Sequence, residues 1–90
     1  MLHLIASGSG RDSSIPIHQD ADIYVARLTV DDFVEHHFAP TRSGWVQLIE
    51  GEVAVNGKIL GPGDGAAIGN EERLSFMPAR DSHFLFFDLN

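Results

Sequence analysis

Asn56-Gly57 constrains this 90-residue chain more than any other pair of neighbours. Both residues tolerate positive φ, which a type I′ turn demands at its two central positions, and short apolar runs at 52–55 and 59–60 flank them. That combination predicts a tight β-hairpin. The rest of the chain agrees with it. Apolar runs recur about every ten residues, at 3–6, 15–18, 23–29, 33–38, 45–50, 66–68, 74–76 and 84–89, with turn residues between them. Ser7-Gly8-Ser9-Gly10, Asp31-Asp32 and Gly61-Pro62-Gly63-Asp64-Gly65 read as loops or turns, and almost no segment carries the 3.6-residue period of an amphipathic helix. Pro16 lacks an N–H to donate to a ladder, so the run 15–18 belongs at an edge or at a strand start. The expected fold is all-β, a small antiparallel barrel or sandwich formed by residues 1–90 as one domain.

The last run carries a second message. In residues 83–89 both alternating sets are apolar, Phe84 and Phe86 on one face and Leu85, Phe87 and Leu89 on the other. A strand with one face in water reads apolar–polar instead, so this strand is expected to be covered on both sides. In so short a chain the outer cover is another domain or subunit, or else the strand is fully central in the fold.

Charge narrows the partners. Six Lys and Arg against thirteen Asp and Glu give a formal net charge of −7, and the basic residues are scattered. Phosphate backbones need clustered cations to release their counterions, so nucleic acid is excluded as a partner, and anionic membranes are disfavoured by the same field. No apolar run approaches the length that spans a bilayer, and Met1 is not followed by a secretory signal pattern. The absence of Cys removes disulfides, thiolate zinc sites and cysteine nucleophiles, and fits a cytoplasmic location.

Several segments in order resemble a known family. They are 7–12 with 17–21, the Trp45-Val46-Gln47 run, Glu50-Gly51-Glu52, Asn56-Gly57, Gly63-Asp64 with Gly65-Ala66-Ala67-Ile68, and the ending at 85–89. Across essentially the whole chain they resemble the C-terminal half of pirin-like bicupins, the quercetin 2,3-dioxygenase-like family. The resemblance implies a jelly-roll-like cupin barrel, with Gly51 closing a first motif and Gly63-Asp64 opening a second. It also implies a second, N-terminal cupin in the full-length protein. That half would carry the metal site, and in some members it would carry flavonol oxidation.

Metal cupins that this sequence resembles use a His-x-His pair, a Glu and a later His, an N/O donor set suited to Fe, Mn or Ni. Anchored on Gly51, the first His falls on His37, the second on Ala39 and the Glu on Gly44; anchored on Gly63, the second motif's Pro, Gly, His and Asn fall on Gly69, Glu71, Leu74 and Pro78. Neither Glu35 nor Arg73 repairs the set, and a guanidinium cannot ligate. No catalytic, cofactor or metal residue is therefore assigned. His36 and His37 are strand neighbours and face opposite ways, so one is expected at the barrel mouth and the other in water, with Glu35 near enough to pair with an imidazole. His18 and His83 are the remaining candidates to join such a site, and His3 reads as a surface residue.

Other patterns are weaker. Gly8-Ser9-Gly10 has Ser13 where a dinucleotide fingerprint has its third glycine. Asp81-Ser82-His83 holds the letters of a hydrolase triad, but neighbours on one strand cannot form its relay. Asp31-Asp32 and Glu71-Glu72 read as solvated turn charges. Trp45 reads as a core or interface residue, or as the wall of an apolar ligand site at the barrel mouth. The leading expectation is a non-catalytic, structural or docking cupin without a metal cofactor, partnered by an N-terminal cupin or by itself as a homodimer. Two alternatives stand beside it: a metal-dependent dioxygenase using atypical ligands near His37, and a barrel binding a small apolar ligand.

Overall fold

The computed structural model describes residues 2–7, 15 and 16, 21–69 and 71–89, and among these every regular element is a strand. In chain order they are β1 (Leu2–Ser7), β2 (Ile15–Pro16), β3 (Ala21–Leu28), β4 (Val34–His37), β5 (Ser43–Glu50), β6 (Val53–Val55), β7 (Lys58–Leu60), β8 (Gly65–Ile68), β9 (Arg73–Pro78) and β10 (Ser82–Leu89). No helix among the described residues is long and apolar enough to cross a membrane. The strands form two sheets, one of six in the order β2-β1-β3-β10-β5-β8 and one of four in the order β4-β9-β6-β7. All pairs are antiparallel except β1 with β2. As its proline requires, β2 is an edge strand; the expected continuation at 17 and 18 lies outside the described residues.

Alternation decides which side chains meet. Ala26, Leu28, Val46, Leu48, Phe84 and Phe86 point inward from the six-stranded sheet, and Val53, Val55, Leu60, Leu74 and Phe76 point inward from the other; all are buried. Phe76 joins the two layers. Its ring stacks on Phe84 at 4.9 Å and meets Phe86 edge-on at 5.6 Å.

The hairpin forms where the sequence places it, with φ of 47° at Asn56 and 84° at Gly57. Asn56 does more than turn the chain. Its Oδ1 accepts from the Ser75 amide at 2.8 Å and its Nδ2 donates to the Arg73 carbonyl at 3.2 Å, so the turn is tied to β9. Asn56→Ala loses both bonds and gains a strained φ, and should cost about 1–2 kcal/mol in urea unfolding. Asn56→Gly keeps the turn and should lose less, which a side-by-side melt checks. A second loop shows local carboxylate work. Asp32 accepts from the Thr29 amide at 2.8 Å, and this bond, with a weaker one from the Thr29 hydroxyl, holds its carboxyl below the usual range.

On β10 the inner set, Phe84 and Phe86, is fully buried, as a strand lying between β3 and β5 requires. The outer set, Leu85, Phe87 and Leu89, is only half-buried. With Trp45 and Gln47 it lines a shallow groove of about 340 Å3 on the outside of the six-stranded sheet.

Candidate functional site

The interior polar groups gather at one end of the sandwich. Asp88 follows Phe84 and Phe86 on the inward face of β10 and is 5% exposed. Opposite it, His36 projects inward from β4, and Arg42 reaches in from the segment leading into β5. The Asp88 carboxylate accepts from His36 Nε2 at 2.8 Å and from Arg42 Nε at 2.6 Å; Arg42 Nη2 donates to the Asp88 carbonyl at 2.8 Å. The His36 ring lies edge-on to Tyr24, Phe38 and Phe86, with centroids 4.8–5.5 Å away. This cluster links the two sheets and the β4–β5 loop across an otherwise apolar interior. Every buried side-chain nitrogen and oxygen among the described residues has a partner.

The positions expected to hold a metal donor set do not form one. Gly44 faces inward on β5, but a Cβ there would come within 2.9 Å of Phe38 Cζ and 3.0 Å of Phe86 Cε1, so aromatic rings occupy the space a longer side chain would need. Leu74 is fully buried core, paired directly across the ladder with His36. Ala39, Gly69 and Glu71 are exposed, and Pro78 is buried against Val53 at the far end of β9. Among the described residues no three of His, Cys, Asp or Glu stand together as a metal cluster.

The paired histidines divide as strand alternation requires, and the inward one is His36. His37 is exposed, at the rim of an open cleft of about 560 Å3 that also involves Arg42, Glu71 and Glu72. Glu35 pairs with neither imidazole. It points outward and lies 3.6 Å from Arg73 Nε, its cross-strand neighbour but one. His83 faces the outer side of the six-stranded sheet, His3 is exposed on β1, and His18 lies outside the described residues, as do Gly8, Ser9, Gly10 and Ser13. Ser82 is buried and structural: its hydroxyl donates to the Arg80 carbonyl at 2.7 Å and accepts from the Glu52 amide at 3.1 Å.

Trp45 is neither a core residue nor at a barrel mouth: it stands on the outer face of the six-stranded sheet, 39% exposed, with its ring lying over Gly65, where a Cβ would collide with the indole. Direction on the strand explains this, since Val46 and Leu48 take the inward positions of β5. The role of Asp88 and Arg42 was not anticipated from the sequence. A signal for Asp88 exists: the alternation that buries Phe84 and Phe86 sends the next even residue to the same face. Nothing comparable marks Arg42, which reaches the cluster from outside any strand.

Comparison with known proteins agrees with this architecture. The family model described as the quercetinase C-terminal cupin domain matches residues 4–89. Quercetin 2,3-dioxygenase of Escherichia coli strain K12 is 37% identical over 86 residues, which are 96% of this chain but 37% of that protein. The chain thus spans little more than a third of the length of that relative. The crystal structure of YhhW from Escherichia coli superposes with a TM-score of 0.96 at 36% identity, over 99% of this chain and 38% of that one; its nickel(II) complex, titled a bacterial pirin, gives 0.95. A cupin domain of a transcriptional regulator from Enterobacter cloacae, at 18% identity and a TM-score of 0.68, shares the fold alone. The chain belongs to the quercetinase C-terminal cupin domain family.

Proposed function

We propose that this domain is a non-catalytic, structural half of a pirin-like assembly, and that any metal chemistry resides in a companion cupin. The observation that carries the reading is Gly44, whose inward side is closed by the Phe38 and Phe86 rings. Two further facts support it. Leu74 and Ala39 offer no donor atoms, and the one inward histidine among the described residues already commits Nε2 to Asp88. The relatives' names refer to quercetin oxidation and, in one structure, to nickel(II). Because this chain matches little more than a third of those proteins, both properties fit the remainder of their length better than the part matched here. The half-buried outer face of β10 gives the domain a surface for docking.

Elemental analysis of protein purified without a histidine tag tests this. Transition metal should stay below about 0.1 per chain after dialysis against Ni2+, Mn2+ or Fe2+, and quercetin should not be consumed. A stoichiometric ion that disappears in His37→Ala would overturn the proposal.

A further inference from the structure

The outer face of the six-stranded sheet holds a pattern that a docking role alone does not require. Its centre is apolar: the cross-strand rows Ile23–Phe87–Trp45 and Val25–Leu85–Gln47 lie side by side, with Leu89 beyond one end. The single polar side chain among them, Gln47, already donates its amide to the carbonyls of Gly63 and Asp64, so covering it would strand no donor. The next row is charged and asymmetric. His83 lies on β10, with Arg27 beside it on β3 and Glu50 beside it on β5. The positive group is therefore on one side of the central strand and the negative group on the other, at the same height.

That arrangement is self-complementary. A two-fold axis running along β10 exchanges left and right, and would set Arg27 of each copy over Glu50 of the other. Phe87 would meet its own copy and Trp45 would meet Ile23. Isologous interfaces require this kind of matching, and face-to-face packing of twisted sheets is an ordinary geometry for it. Most of the net charge of −7 lies elsewhere. Glu50 stands on this face and Asp81, at the turn into β10, borders the same hollow beside Arg27 and His83; the other described carboxylates lie on other turns, on the opposite sheet, or face inward at Asp22 and Asp88. The molecule is 21 Å across its shortest dimension, whereas unpaired surface charges are screened over about 8 Å at physiological salt.

We propose that two copies of this chain form a face-to-face dimer through the outer surface of the six-stranded sheet, about a two-fold axis along β10, with reciprocal Arg27–Glu50 pairs. The proposal rests on the docking role above and names its occupant. Light scattering after size exclusion should give twice the 9.8 kDa of one chain, and sedimentation should give a dissociation constant in roughly the micromolar range. Phe87→Glu should yield a folded monomer, with circular dichroism as the check on folding. Arg27→Glu and Glu50→Arg should each weaken the dimer about tenfold, and the double exchange should restore it.

A monomer at roughly 0.5 mM overturns the proposal. So does a dimer indifferent to Phe87→Glu, and a dimer lost in Phe87→Glu whose Arg27→Glu and Glu50→Arg single variants are not restored by the double exchange overturns the two-fold axis. A dimer that carries stoichiometric metal would sink the non-catalytic reading while leaving the interface standing, so the two failures are distinguishable.

Discussion

Asp88→Ala should destabilise the domain by about 3–5 kcal/mol, because a buried carboxylate that answers an imidazole and a guanidinium cannot be withdrawn without leaving buried donors behind. The side chains of Asp88, His36 and Arg42 are 6%, 14% and 15% exposed, so water cannot substitute freely for the lost acceptor. A chain of this size has a total stability of roughly 5–13 kcal/mol, which makes the loss a large share of the whole. The expected fall in Tm is at least about 12 °C, at roughly 4–8 °C per kcal/mol for a small domain. Asp31→Ala, on an exposed turn, should stay within about 0.5 kcal/mol and serves as the control. The cluster also predicts that the loss nearly vanishes when all three members are removed together. Replacing all three members with apolar residues (His36→Leu, Arg42→Met, Asp88→Leu) should be close to neutral, since buried ion pairs repay little more than their desolvation. If the single and triple variants lost stability equally, the cluster would be doing something other than neutralising buried charge.

The contrast between Asp88 and the hairpin explains how far the sequence could be read. Turn chemistry is local: Asn56 and Gly57 need positive φ whatever surrounds them, and the structure puts them there. Strand direction is nearly local, because alternation sends Phe84 and Phe86 inward and Leu85, Phe87 and Leu89 outward without reference to the rest of the chain. The order of strands in the sheets is not local. Once β10 lies between β3 and β5, its outer side chains form the centre of an exposed apolar face, a fact that depends on which strands arrive beside it.

The candidate site depended still more on such meetings. Asp88 lies 52 residues from His36 and 46 from Arg42, and no spacing rule joins residues that far apart. The opposite failure occurred at Trp45. Its size suggested core, interface or the mouth of a barrel, and an odd position on β5 rules out the first and the last by placing it outside, over Gly65. Gly44 shows a third case, in which the sequence identified a missing donor but could not show that Phe38 and Phe86 fill the space.

Among the described glycines Gly51→Ala should be the most damaging substitution, at about 3–5 kcal/mol, because it combines backbone strain with a collision that has no side-chain remedy. Its φ of +94° lies beyond the left-handed well that L-residues occasionally enter. An added Cβ would run into the Asp81 carbonyl and the Ser82 hydroxyl, and would lie 2.7 Å from the Ser82 Cα. The hydroxyl cannot swing aside cheaply, since it is held by the Glu52 amide and the Arg80 carbonyl. Relief therefore requires moving backbone where the end of β5 passes the start of β10. Gly57 separates the two contributions: its φ is +84° but nothing lies within 4 Å of an added Cβ, so Gly57→Ala should show strain alone, about 1–2 kcal/mol. Gly69 has neither strain nor a near neighbour, and Gly69→Ala should be neutral or stabilising by up to about 1 kcal/mol. Urea unfolding of the three variants should rank them 51, 57, 69 in order of loss. Equal losses at 51 and 57 would mean that the chain yields at Ser82 and that the glycine closing the first motif is kept for its φ alone.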